Sequence, residues 1–297
     1  MQPLQGTLAL PKQGDGPFGL VVFVHGDGAA TADRDEFYRP IWESFAAAGY
    51  ASLSWDKPGV AGAQGNWLDQ TMHDRAVETE AAIAWARGRS EIDAGRIGLW
   101  GISQAGWVMP EVAVRHPELR FMIAVGTAVD WIRQGEYNLR AELRERHATD
   151  DELSAQLRRR EADLALLREG ASYDRYRATT TDSPPMSEDR WRFVSKNYQS
   201  DITEILPQLE VPTLLLLGER DLNVDVAETA RVYRQSVPAN LLTVKTFPDA
   251  SHNIVKFDLD KPDGLRPMLV ALFAPRSLYA PGYLDTLREY VAHPPNH

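Results

Sequence analysis

The chain has no cysteine. Disulfides, thiolate metal sites and a cysteine nucleophile are therefore excluded. It has no apolar run near the roughly 20 residues that a membrane span requires. It has no excess of basic residues. Lys and Arg number 32 against 42 Asp and Glu, a formal net charge of -10, and that field repels nucleic acid and anionic membrane alike. The start, Met1-Gln2-Pro3-Leu4-Gln5, has no basic region followed by an apolar one, so no signal peptide is expected. A cytoplasmic protein is the default expectation, although the lack of cysteine fits export equally well. No internal repeat and no low-complexity tract occurs. What is present is ordinary for a folded enzyme-sized chain. At 297 residues there is room for one large domain or two small ones. A hydrophobic fraction of 43% can fill a sizeable core.

Apolar runs alternate with segments of helical spacing. Leu20-Val21-Val22-Phe23-Val24 reads as a strand buried on both faces. It ends in the loop His25-Gly26-Asp27-Gly28. Asp35 to Ala48 reads as a helix stopped by Gly49, and Tyr50 to Trp55 as a second strand closed by Asp56-Lys57-Pro58-Gly59. A helix is expected from about Asp69 to Arg87, with Val77, Ala81, Ala84 and Trp85 on one face. Arg96 to Trp100 and Phe121 to Val125 are further strands, as are Val211 to Leu217 and Leu241 to Phe247. Helices are expected over Trp107 to Arg115, Ala227 to Gln235 and from Pro281 onward. Between Trp131 and Leu206 charged residues crowd the chain and no strand-like run occurs. Leucines there recur at amphipathic spacing, so the stretch is expected to be a helical insertion, longer than an ordinary connection. The predicted fold class is α/β: a mostly parallel sheet with helices on both faces. Residues 1–130 and 207–297 are expected to form the core domain and 131–206 the insertion.

In such sheets reactive groups gather at the carboxyl ends of the strands. Gly101-Ile102-Ser103-Gln104-Ala105-Gly106 follows a strand and precedes a helix. Strand, tight turn with a serine at its tip and helix is a nucleophile elbow, and the small residues around Ser103 are what so sharp a turn demands. Ser103 then needs a base, and the base needs an acid to hold its tautomer. Of seven histidines, His252 alone sits on a short polar loop after a late strand. Asp221 follows the strand ending at Leu217 through Gly218-Glu219-Arg220. Asp225, as a helix cap, and Asp130, after the strand ending at Val125, are the rivals for the acid. An oxyanion needs preorganised donors. The N–H of Gln104 is one candidate and the N–H of Asp27 the other, with Gly28 as a second choice. His25 is expected to orient that loop at the pocket's edge. Most of the eight tryptophans read as core, Trp42, Trp85 and Trp100 among them. Trp107, Trp131 and Trp191 are the candidates for an aromatic, largely apolar pocket.

These residues resemble the α/β-hydrolase superfamily, in particular bacterial esterase- and peptidase-like members with a Gly-x-Ser-Gln-x-Gly-Trp elbow. The resemblance rests on His25-Gly26, Trp55 to Gly59, the elbow through Trp107, Gly218 to Asp221 and Ser251-His252, and does not extend to the insertion. It implies an α/β-hydrolase fold, a Ser103–His252–Asp221 triad and a mobile or shielding helical cap over the site. Ala105 departs from the family's usual glycine two places after the serine, and tighter helix–strand packing is the expected result. The expected function is hydrolysis of carboxylic esters through an acyl-enzyme, on a small and hydrophobic acyl substrate, with no cofactor, metal, nucleic acid or membrane partner. Amide, peptide or thioester cleavage uses the same parts. A non-catalytic binding protein on a hydrolase scaffold is the reading from another class, and such proteins usually lack a triad member.

Overall fold

The computed structural model describes residues 3–260 and 265–295. Seven strands form one sheet: β1 (Gly6–Ala9), β2 (Phe18–Val24), β3 (Tyr50–Trp55), β4 (Ile92–Ile102), β5 (Met122–Val125), β6 (Thr213–Gly218) and β7 (Leu242–Phe247). Their order is β1-β3-β2-β4-β5-β6-β7. All pairings are parallel except β1 with β3. The central strands are buried along their whole length because neighbours cover both faces, and so they are dominated by apolar residues, with Ser52 and Ser54 of β3 and Thr213 of β6 as buried exceptions.

Helices α1 (Arg39–Ala46), α2 (Met72–Arg87) and α3 (Met109–Arg115) lie between the early strands. Then come α4 (Trp131–Glu145), α5 (Asp150–Arg168), α6 (Tyr173–Thr179) and α7 (Glu188–Asn197), all between β5 and β6. The last three are α8 (Val226–Ser236), α9 (Leu265–Phe273) and α10 (Tyr283–Ala292). One core packs Ala76 and Ile83 of α2, Val112 of α3 and Ala230 of α8 under the sheet. The other packs Ile41 and Phe45 of α1 against Tyr283 and Leu287 of α10 over it. The α4–α7 segment has a small core of its own, in which Leu164, Leu167, Tyr176, Trp191 and Tyr198 meet. Among the described residues no helix is long and apolar enough to cross a membrane.

Four expectations change. The helix expected from Asp35 begins only at Arg39, because Arg34, Asp35 and Glu36 take left-handed φ of 49°, 52° and 71°. The elbow serine opens a 3₁₀ turn over Ser103–Trp107, and α3 starts after it at Met109. β4 begins at Ile92, ahead of the apolar run that announces it. The buried residues of α2 are Met72, Arg75, Ala76, Glu78, Thr79, Ala82, Ile83 and Ala86, while Trp85 is 49% exposed. Alanine and threonine let the helix approach the sheet closely. Trp85 instead lies on the outside under the Arg89 guanidinium, 5.2 Å from the ring centre.

Candidate active site

Ser103 stands at the tip of the turn with φ of +56°. A non-glycine residue held there is strained, and such strain collects at functional sites. The turn closes tightly enough that a Cβ on Gly101 would lie 2.6 Å from the Ala105 Cβ. Ala105 is fully buried against the space that Gly101 leaves.

Ile102 pairs with Val125 across β4 and β5. The residues that follow, Ser103 and Gly126, therefore emerge side by side at the sheet's carboxyl edge. His252 packs on Gly126: a Cβ there would lie 2.6 Å from the His252 carbonyl and 3.2 Å from Nδ1. His252 Nδ1 is 2.8 Å from Asp221 Oδ2. The other oxygen, Asp221 Oδ1, accepts from the backbone N–H of Asn223 at 2.7 Å and of Val224 at 2.9 Å. The Asp221 side chain is fully buried, so both oxygens are committed and the carboxylate cannot turn. A carboxylate on Nδ1 keeps the proton there and leaves Nε2 free to accept one.

The rival acids have other work. Asp130 caps α4, its Oδ1 accepting from Arg133 N–H at 2.6 Å. Asp225 caps α8 through Glu228 N–H at 3.0 Å. Each satisfies an orphan donor at a helix start.

The glycine loop after β2 lies opposite. Gln104 Nε2 donates to Asp27 Oδ1 at 3.2 Å. Arg190 of α7 grips the same carboxylate with two bonds, 2.9 and 2.7 Å long. Burial would raise the Asp27 pKa, but the bonds and charge of Arg190, helped by the Gly28 N–H and Lys57, outweigh it and hold it below the usual value.

A cavity of about 250 Å³ opens at Ser103. Trp107 and Trp131 form one wall, stacked with ring centres 5.0 Å apart. The polar side chains of Asp27, Gln104, Gln134, Asn138, Arg190 and Asn223 also line the cavity, beside the apolar Ala128 and Val224. The lining is thus more polar than the three tryptophans suggested. Two residues expected at the pocket do not line it. Trp191 is stacked on Tyr176 at 4.3 Å inside the helical segment's own core and donates to the Ala171 carbonyl. Its place in an amphipathic helix is equally compatible with facing in or out of that segment. His25 lies behind the loop, 2.6 Å from the Trp55 carbonyl through Nε2 and 3.3 Å from the Tyr38 hydroxyl through Nδ1. Burial, and then the nearby Lys57, lower its pKa to about 3, so it is a neutral spacer that holds the loop.

Several site residues carry no motif. From α4, Gln134, Tyr137 and Asn138 donate to the carbonyls of Asn223, Asp221 and Leu222, at 3.0, 3.0 and 3.1 Å. The loop that carries Asp221 is thus fastened to the helical segment. Lys57 and Arg75 brace the glycine loop from within. Only Lys57 had a signal, its place in a loop that directly follows a strand.

The sequence profile of the X-Pro dipeptidyl-peptidase (S15) family matches residues 3–247. Among solved structures, the α/β-hydrolase GrgF from Penicillium sp. sh18 superposes with a TM-score of 0.58 at 16% identity, covering 97% of this chain and 94% of that one. An esterase from Pyrococcus furiosus gives 0.56 at 14% identity, over 98% and 90%. Proline iminopeptidase from Mycobacterium smegmatis gives 0.55 at 19% identity, over 96% and 95%. At these identities the similarity is one of fold, and that fold is the α/β-hydrolase fold.

Proposed function

The chain belongs to the X-Pro dipeptidyl-peptidase (S15) family, and from that premise we propose that this hydrolase is a serine esterase working through an acyl-enzyme on Ser103. The observation that carries the reading is the strained Ser103 at +56°, set at the same sheet edge as a histidine whose Nδ1 is held by a buried carboxylate. Ser103 Oγ attacks the ester carbonyl carbon while His252 Nε2 takes its proton. The tetrahedral oxyanion rests on the N–H groups of Gln104 and Asp27. The C–O bond to the leaving group breaks as His252 returns the proton to the alkoxide. Water, deprotonated by the same imidazole, then attacks the acyl-enzyme, and Ser103 recovers its proton.

The family's name favours a second reading, cleavage of an amide bond two residues into a peptide. One feature of the cavity favours esters instead. A dipeptidyl unit presents an α-ammonium that requires an anionic anchor. Among the described residues the only carboxylate lining the cavity is that of Asp27, and Arg190 already occupies it bidentately. A volume near 250 Å³ lies just below the usual range for small-molecule sites and fits a short acyl group, with a flat portion accommodated against Trp107 and Trp131. The α4–α7 segment serves on this account as a cap that sets the acyl size, fastened to the loop that carries Asp221 and to the glycine loop. The test is a panel of p-nitrophenyl esters of graded chain length, matching thioesters and Xaa-Pro anilides, each with Ser103→Ala as control. Turnover of short esters that exceeds anilide turnover by tenfold or more supports the reading. Preference for the Xaa-Pro anilides replaces it with the peptidase.

A further inference from the structure

Two cations lie in the protein interior beneath the glycine loop. Lys57 is 3% exposed and Arg75 6%. Their hydrogen bonds go to carbonyl and amide oxygens, not to carboxylates. Lys57 Nζ donates to the Gly26 carbonyl at 2.6 Å and to the Gly28 carbonyl at 2.8 Å, with the Trp67 ring 4.7 Å beneath it. Arg75 donates to Gln104 Oε1 at 2.7 Å and to the His25 carbonyl at 2.5 Å. Burying charge on neutral acceptors is expensive. A lysine serving only to fill space would be replaced at lower cost by an apolar residue.

The geometry of the peptide gives the arrangement its use. The Gly26 carbonyl and the Asp27 N–H belong to one planar trans peptide, so they point in opposite directions. Fixing that carbonyl on Lys57 fixes the N–H away from the ammonium, toward the cavity that Asp27 and Ser103 line. A donor this close on the carbonyl also polarises the amide, which strengthens its N–H as a donor. Arg75 does the corresponding service on the other side. It holds Gln104 through its side-chain oxygen, and the same side chain reaches Asp27 from its nitrogen. The two candidate oxyanion donors are thus tied to each other through the Gln104 side chain and braced from behind by Lys57 and Arg75.

We propose that Lys57 and Arg75 are positioning residues of the oxyanion hole, with Lys57 orienting and polarising the Gly26–Asp27 peptide and Arg75 locking Gln104 against the same loop. Neither touches substrate. Both act on the stage at which the carbonyl oxygen becomes negative, so their effect falls on kcat and leaves ground-state binding alone. The inference rests on the esterase reading of Ser103.

The experiment compares wild type with Lys57→Met, Lys57→Gln and Arg75→Met on the best p-nitrophenyl ester of the panel. The pre-steady-state burst counts competent sites, and thermal melting checks the fold. An alkyl boronic acid, whose adduct on serine is tetrahedral and anionic, reports on the hole directly. Lys57→Met is expected to lower kcat per titrated site by about 10- to 100-fold, short of the loss on removing an oxyanion donor outright. KM stays within about threefold and the boronate inhibition constant rises in parallel with the kcat loss. Lys57→Gln keeps a neutral donor and is expected to fall between. It carries the test if the methionine variant does not fold, with at least a fivefold loss in kcat per site and in boronate affinity. Variants that match wild type per titrated site, or that lose only burst amplitude, overturn the proposal. A wild type that turns over no ester of the panel, or whose turnover survives Ser103→Ala, overturns the esterase reading itself, which separates the two failures.

Discussion

Replacing Asp221 by asparagine tests the hydrogen-bond chain at one atom. Asp221 Oδ1 accepts two backbone N–H groups, and an amide oxygen can keep both bonds. The amide nitrogen must then take the place of Oδ2, facing His252 Nδ1 at about the present 2.8 Å. An NH₂ there donates and does not accept, so Nδ1 must give up its proton and Nε2 must carry it. The imidazole then presents a donor to Ser103 where a base is needed. In the serine-protease triad the equivalent change lowers kcat about 10⁴-fold with geometry intact, which corresponds to about 5.5 kcal/mol of transition-state stabilisation. The same loss is expected here, with KM little changed and the fold preserved. Steady-state hydrolysis of a p-nitrophenyl ester measures it, with Asp130→Asn as the control. Asparagine caps a helix as well as aspartate does, so that variant should keep wild-type activity. A loss under tenfold in Asp221→Asn, or an equal loss in Asp130→Asn, would refute the reasoning.

Two further outcomes follow from the packing. Gly126 has φ of +54° and lies against the His252 backbone. Gly126→Ala should cost about 1–2 kcal/mol for the left-handed backbone and, by shifting His252, on the order of 10²-fold in kcat; a variant with wild-type kcat per titrated site would show that His252 does not depend on this contact. His25 should make the fold acid-sensitive. Its pKa is lowered from 6.5 to about 3 by burial first and Lys57 next, so the unfolded chain binds this proton more readily. The stability it contributes is complete above about pH 6.5 and is lost as pH falls toward 3, at about 1.4 kcal/mol per pH unit. An imidazole carbon signal that stays neutral down to pH 4 in the folded protein agrees with this, and one titrating near 6.5 contradicts it.

The elements that could be read in advance are those whose residues face a single environment. β2, β5 and β6 are buried on both sides, so their apolar runs are continuous. The candidate triad was legible because each member directly follows a strand. β1 was not, since four residues at an exposed sheet edge carry no pattern. α2 misled because its inward face is built from alanine, threonine and an arginine, with the tryptophan outside. The burial of Lys57 and Arg75 was not legible for a related reason. A lysine or arginine normally implies solvent, and its burial becomes visible only when a loop from β3, the helix α2 and the glycine loop converge on it. Trp191 illustrates the limit inside the helical segment. Amphipathic spacing announces that a face is covered but not whether a neighbouring helix or a substrate covers it.

The most direct test of the central claim, that Ser103 is a nucleophile activated by His252 and Asp221, is intact-mass analysis after treatment with a fluorophosphonate. A single phosphonyl adduct per chain on wild type, mapping to Ser103, with none on Ser103→Ala and strongly slowed labelling of His252→Ala, is the result predicted. An unlabelled wild type, or an adduct that persists in Ser103→Ala, would contradict it.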